Sequence, residues 1–304
     1  MRVIFMGTPD YATAILEGLI EDENIEVVAV FTQPDKPVGR KKILTPPDVK
    51  RFLIEENIDI PIFQPINLKN KNIQKDIKEL NPDFIVVAAY GQILPKEILD
   101  IAPCINLHAS ILPKYRGASP IQQALLNGDD ITGVTAMLMD EGLDTGDILA
   151  YSIVNIEKND VAPTLFEKLS LSAKILTPKV LKNYHKISPV KQNSVDASYC
   201  KKIKKDDGLV DFVDAKTVYN KYRAFYFWPG IFLKSGLKLL EIDIADEEGS
   251  YEKGKILELS DNGVIVGCEK GKIEIIKVQP PSKKSMDIFS YLRGRRIGIG
   301  DYLS

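Results

Sequence analysis

Of the two histidines in the 304-residue chain, only His108 sits among residues suited to chemistry. Residues 104–118 read CINLHASILPKYRGA: an apolar run carries Asn106 and His108 two positions apart, then come Ala109 and Ser110 and the turn Ile111-Leu112-Pro113. An imidazole titrates near neutrality and can take a proton during a reaction. A carboxamide offers N–H donors that can stabilise an oxyanion. Further on, residues 139–147 (MDEGLDTGD) place four acids in a glycine-containing loop, Asp140 and Asp144 among them. A carboxylate set beside a histidine orients the ring and favours its charged form. Taken singly, each residue has a plainer role: a structural histidine, a turn asparagine, an exposed loop acid. His185 lies in linker-like sequence and receives no role.

Other chemistries lack their residues. One nearby histidine and no cysteine cluster give no zinc set, and the acids lack calcium-loop spacing, so no metal is expected. Ser110 and Ser119 have no G-x-S-x-G context. Thr8-Pro9 follows Gly7 where a dinucleotide fingerprint needs G-x-G-x-x-G, so neither NAD nor FAD is expected. The chain has three widely spaced cysteines, an odd number that does not form a disulfide framework. A composition 44% hydrophobic and 27% charged is that of a soluble globular protein. With no charged-then-apolar leader and no long apolar run, the expectation is a cytoplasmic chain without a membrane span. No element asks for a partner copy, which points to a monomer. Residues 1–190 carry 20 Lys+Arg against 25 Asp+Glu, and residues 191–304 carry 20 against 17. A polyanion is therefore expected at the back half or at a local basic loop.

The elements that must position these residues follow from the apolar patterning. Strands are expected at 2–7, 26–31, 60–63, 83–89 and 104–107, with helices at 11–20, 48–56, 70–80 and 96–99 between them. That alternation is the grammar of an open, mostly parallel α/β sheet, which gathers chemistry at its strands' carboxyl ends. A helix from Pro120, strands at 133–139 and 148–153, and a helix at 162–180 complete a first domain, 1–187. Residues 33–47 (QPDKPVGRKKILTPP), with four prolines, one glycine and the cations Lys36, Arg40, Lys41 and Lys42, are expected to hold no regular element. The basic loop suits either solvent or a phosphate backbone. Residues 188–207 read as a solvated linker. From 208 to 304, short strands separated by Gly and Asp-Asn turns suggest a small OB-like β-barrel, by analogy suited to nucleic acid.

Two long motifs then carry a resemblance. NLHASILPKYRGA at 106–118 with Pro120-Ile121, followed by MDEGLDTGD at 139–147, strongly resembles the folate-dependent formyltransferases. FTQPDKPVGRKK, AAYGQILP, YFWPG and VQPPSKKSM extend the likeness over nearly the whole chain and towards the tRNA-modifying branch of that family. The resemblance implies a Rossmann-like formyltransferase sheet, a 10-formyltetrahydrofolate donor and the α-amino group of methionyl initiator tRNA as acceptor. It implies Asn106, His108 and Asp144 as the catalytic trio. Ser110, Ile111, Leu112 and Pro113 match the folate-binding stretch, and backbone near Ala88, Tyr90, Gly91, Gln92, Asp140 and Gly142 would line the pterin pocket. Lys36, Arg40, Lys41 and Lys42 would meet the tRNA acceptor region, and the C-terminal domain would hold more of its backbone. Two alternatives stay open: a relative acting on a small amine such as a sugar nucleotide or purine precursor, or a catalytically inactive tRNA-binding relative.

Overall fold

A computed structural model of the chain describes residues 1–39 and 41–303. Arg40, one of the expected tRNA-binding cations, lies outside the described residues. Contacts divide the chain into two units: Met1–Pro120, Ile131–Ile156 and Phe166–Cys200 form the first, and Ile121–Asp130, Glu157–Leu165 and Lys201–Ser304 the second.

Up to residue 200 the elements are β1 (Arg2–Gly7), α1 (Asp10–Ile20), β2 (Glu26–Phe31), β3 (Lys36–Val38), β4 (Ile43–Thr45), α2 (Asp48–Glu55), β5 (Ile62–Phe63), α3 (Lys71–Glu79), β6 (Phe84–Ala88), α4 (Lys96–Leu99), β7 (Cys104–His108), β8 (Arg116–Gly117), α5 (Pro120–Asn127), β9 (Ile131–Leu138), β10 (Ile148–Asn155), α6 (Ala162–Asn183) and β11 (Tyr199–Cys200). Every residue of β6 is buried, as is all of β1 after Arg2. Continuous apolar runs of this kind belong to strands covered on both faces. The sheet order is β10-β9-β7-β6-β1-β2-β5. Neighbours from β7 to β5 pair in parallel, while β9 and β10 pair antiparallel at the other edge. The chain leaves β1 towards β2 on one side and returns to β6 on the other, so the strand order reverses there. The crevice outside the carboxyl ends at such a reversal is where open α/β sheets bind ligands. Tyr11, Ala12, Ile15, Leu16 and Leu19 of α1 are buried at the spacing of one helical face.

The 33–47 stretch departs from expectation. β3 and β4 form an antiparallel ribbon pairing Lys36 with Thr45, Pro37 with Leu44 and Val38 with Ile43. A two-stranded ribbon has no interior strand, so the N–H that Pro37 lacks is tolerated. Gly39 at φ 71° and Lys42 at φ 48° supply the reversal. The base of the ribbon is tied down, because Lys50 Nζ reaches both Asp35 carboxylate oxygens at 2.9 Å and Gln64 Oε1 at 2.8 Å.

The second unit contains α7 (Ala215–Ala224), β12 (Ile231–Phe232), β13 (Lys238–Asp246), β14 (Ile256–Leu259), β15 (Val264–Gly267), β16 (Lys272–Gln279), β17 (Met286–Asp287) and α8 (Ile288–Arg295). Asp214 caps α7 by accepting the Thr217 N–H at 2.7 Å. The strands form an antiparallel sheet in the order β12-β13-β16-β15-β14, with β17 added to β16. Where the turn spacing suggests a small OB-like β-barrel, the structure has a C-terminal antiparallel β-sheet domain. Among the described residues no ladder joins β12 to β14. None of their helices is long and apolar enough to cross a membrane.

Candidate active site

Asn106 and His108 lie two apart on β7 and so project from the same face of the sheet. The loop after β9 brings Asp144 onto that face. Its Oδ1 is 3.4 Å from Asn106 Nδ2, and its Oδ2 is 3.7 Å from His108 Nδ1. The same Oδ2 accepts the Gly117 N–H of β8 at 2.8 Å. One carboxylate thus ties two strands to its own loop. His108 is only 6% exposed, and its Nε2 lies 2.9 Å from the Tyr115 carbonyl oxygen. A carbonyl can only accept, so this partner assigns the proton to Nε2 and leaves the Nδ1 lone pair of the neutral ring towards Asp144. The 3.7 Å separation is too long for a hydrogen bond. A proton arriving at Nδ1 would meet a carboxylate already facing it, while Nε2 keeps its carbonyl.

Below β7, Tyr11 donates its hydroxyl to the Leu107 carbonyl at 3.2 Å, and burial pushes its phenol far up. The 109–114 turn is fixed from inside. Ser110 is fully buried and donates to the Lys114 carbonyl at 2.6 Å, while Thr135 Oγ1 donates to the Ser110 carbonyl at 2.6 Å. Thr135 Oγ1 also accepts the Leu112 N–H at 3.0 Å, and the Leu112–Pro113 peptide is cis. Ser110 and the buried Leu112 therefore belong to the turn itself, whereas Ile111 and Pro113 are part-exposed. At the sheet's switch point the Tyr90 carbonyl collects Thr8 Oγ1 at 3.0 Å and Gln33 Nε2 at 3.1 Å, joining the ends of β1, β2 and β6. Ala88 and Tyr90 are buried there. Ala89 and Gly91 are exposed in the left-handed region at φ 44° and 81°, and Gln92 donates to the Pro65 carbonyl at 2.9 Å. A Cβ on Gly91 would come no closer than 3.9 Å to Gln33 Nε2, so there is space beside it. Asp140 and Gly142 are exposed, and Asp140 Oδ1 accepts the Gly142 N–H at 3.0 Å. Lys36, Lys41 and Lys42 are exposed on the ribbon and make no ion pair among the described residues.

The formyl transferase family model matches residues 1–181, and the model of the formyl transferase C-terminal domain matches residues 202–296. The chain belongs to the formyl transferase family. Curated relatives named methionyl-tRNA formyltransferase align over the full length. The protein of a Nitratiruptor species is 67% identical, with 99% of both chains covered. That of Wolinella succinogenes is 54% identical, covering 100% of this chain and 99% of its own. Among solved structures, WlaRD, a sugar 3N-formyl transferase crystallised with dTDP and 5-N-formyl-THF, superposes with a TM-score of 0.68 at 21% identity, over 93% of this chain and 99% of its own. HypX from Aquifex aeolicus in complex with tetrahydrofolic acid gives 0.61 at 17% identity, over 100% of this chain and 49% of its own. At such identities these two show the shared fold.

Several residues packed around Asp144 escaped the sequence reading. Gln192, inside the stretch expected to be a solvated linker, donates through Nε2 to the Asp144 carbonyl at 2.9 Å and the Gly146 carbonyl at 2.7 Å. Arg116, 4% exposed, directs Nε and Nη2 at Gln192 Oε1 at 3.1 and 2.7 Å. Ser198 Oγ accepts the Tyr115 N–H at 2.9 Å. Cys200 pairs with Gly117 across β8 and β11, and a Cβ on Gly117 (φ 116°) would come within 2.4 Å of the Cys200 carbonyl oxygen. Burial pushes the Cys200 thiol up, and the charge of Asp144 adds in the same direction. The motif containing Arg116 was visible in the sequence; nothing in the composition of 188–200 marks Gln192.

Proposed function

We propose that this formyltransferase moves the formyl group of 10-formyltetrahydrofolate to the α-amino group of methionyl initiator tRNA in the cytoplasm. The observation that carries the choice of acceptor is the full-length similarity, 67% over 301 residues, to a relative named methionyl-tRNA formyltransferase. Residues 1–187 are the catalytic domain in this reading, 188–207 the connection, and 208–304 the tRNA-binding domain. Lys36, Arg40, Lys41 and Lys42 grip the acceptor's phosphates.

The folate supplies the activated formyl carbon, and the rim formed by Ala89, Gly91 and the exposed part of the 140–143 loop fits its pterin through backbone donors and acceptors. The chain's own side chains manage charge and protons. The amine nitrogen bonds to the formyl carbon and must lose a proton. His108 Nδ1 receives it, and the resulting imidazolium donates to Asp144 Oδ2 on one side and the Tyr115 carbonyl on the other. Negative charge growing on the formyl oxygen is met by the Asn106 amide, whose 3.4 Å contact with Asp144 is long enough to exchange for a better acceptor. As the carbon–nitrogen bond to the folate breaks, a proton returns to that leaving nitrogen, through water where His108 cannot reach.

The test is formyl transfer from 10-formyltetrahydrofolate to methionyl-tRNA, with free methionine and a sugar amine assayed in parallel. Formylation of the charged tRNA alone is expected. Product from the sugar amine alone would overturn the assignment.

A further inference from the structure

We propose that Gln192 is a positioning residue for the formyl transfer: its amide, aimed by Arg116, holds the backbone of the Asp144 loop so that the carboxylate faces His108 and Gly117. The inference rests on the catalytic role just given to Asp144. Asp144 sits in the left-handed region at φ 54°, a conformation uncommon for a residue with a side chain. Such a conformation persists only where the surroundings enforce it. Two N–H bonds from one side-chain amide, to the carbonyls of Asp144 and Gly146, bracket the loop at that point.

The orientation of this amide is decided by its partners. Flipped, its oxygen would face two carbonyl oxygens and its NH₂ would face the guanidinium, so every contact would be donor against donor or acceptor against acceptor. Arg116 is itself set. Its Nη1 lies 3.4 Å from the Tyr199 hydroxyl, and its guanidinium carbon stands 6.0 Å from that ring's centre. The segment that carries Gln192 is stitched to both sides of the site. Val190 and Ile148 exchange backbone hydrogen bonds of 2.8 Å just after the acidic loop. Ser198 and Cys200 bond to Tyr115, Arg116 and Ala118 at β8, and Gly117 between them supplies the N–H to Asp144 Oδ2. Residues 190–200 therefore fix both the loop that bears the carboxylate and the amide that binds it. Gln192 is the one side chain of the segment that reaches the backbone of Asp144.

The experiment is a double-mutant cycle with an independent structural readout. Gln192→Leu removes both the donors and the acceptor, and Gln192→Glu keeps the acceptor for Arg116 while removing the donors. In the native background each variant is expected to lower kcat by about 10²-fold, the loss typical of a displacement near 1 Å, with KM for folate and tRNA nearly unchanged. In an Asp144→Asn background the same substitutions should cost almost nothing further, because the group they position is already lost. Hydrogen exchange at the Gly117 amide should accelerate in both variants, without substrate present, as its acceptor swings away. An equal kcat loss in both backgrounds would overturn the proposal, as would a rise in KM with kcat intact. Should Gln192→Leu fail to fold, Gln192→Glu carries the test, and native kcat in that variant sinks the idea. Unchanged Gly117 exchange counts against the positioning role alone; absent formyl transfer by the native chain counts against the assigned reaction instead.

Discussion

At the scale of single residues the site is a problem of where one proton can go. His108 spends Nε2 on a backbone carbonyl and turns Nδ1 towards Asp144, so the ring has one vacant lone pair and one waiting acceptor. Removing the ring removes both the proton acceptor and the charge that forms beside the reaction centre. His108→Ala is expected to lower kcat by about 10²–10⁴-fold, the usual range for a positioned acid–base group. tRNA affinity should hold, because a side chain 6% exposed offers little to a large ligand's surface. Native turnover in steady-state formylation would remove His108 from the mechanism. Asn106 and His108 were legible as a pair because a strand sends residues i and i+2 to one face. Asp144 was not separable from its three acidic neighbours by composition. The family resemblance singled it out, and in the folded loop φ 54° and bonds from Gly117 and Gln192 set it apart.

At the scale of elements, legibility followed the hydrophobic pattern. β1, β2 and β6 are apolar runs, with β6 buried throughout, β1 after Arg2 and β2 over its last three residues, and the sequence places them within a residue of where they lie. The ribbon of β3 and β4 was hidden because its prolines and glycine are signals of irregularity, and its residues are mostly exposed, so no core face imposes alternation. The 190–200 segment was hidden for a related reason: it is held by a few short backbone pairings and by side-chain to backbone bonds, which leave no period to read. The ribbon carries the second prediction. Lys36, Lys41 and Lys42 stand free of carboxylate partners among the described residues, so their charge is available to phosphates. Each lysine that neutralises a phosphate releases a counterion, and its replacement by Ala should flatten the slope of log K against log salt by about 0.7–0.9. Measuring tRNA binding over a salt series checks this. Folate binding should not change, and a collapse of folate binding would mean that the ribbon supports the first unit's own structure instead.

For the whole molecule, the three cysteines offer a way to watch each unit separately. Cys104 lies in β7 and Cys200 in β11 of the first unit, and Cys268 follows β15 in the second; all are free and buried. Burial pushes the thiols of Cys104 and Cys268 up to about 12, and raises that of Cys200 as well. A thiol reacts as its thiolate, so high pKa and burial together make it inert. In the native protein at pH 8 a disulfide reagent should therefore label none of the three at the rate of a free peptide thiol. In denaturant it should label all of them. Variants retaining only Cys104 or only Cys268 then report opening of the first and second unit respectively, and equal labelling rates would mean that the units unfold together. The same shifts fix a pH dependence. A thiol whose folded pKa is raised keeps its proton when the unfolded chain has lost it, so its contribution is unperturbed below the ordinary value near 9. Stability should decline as the pH climbs from there towards 12, visible as a falling denaturation midpoint. Rapid labelling of Cys104 in the folded chain at pH 8 would contradict the packing of β7, the strand on which Asn106 and His108 depend.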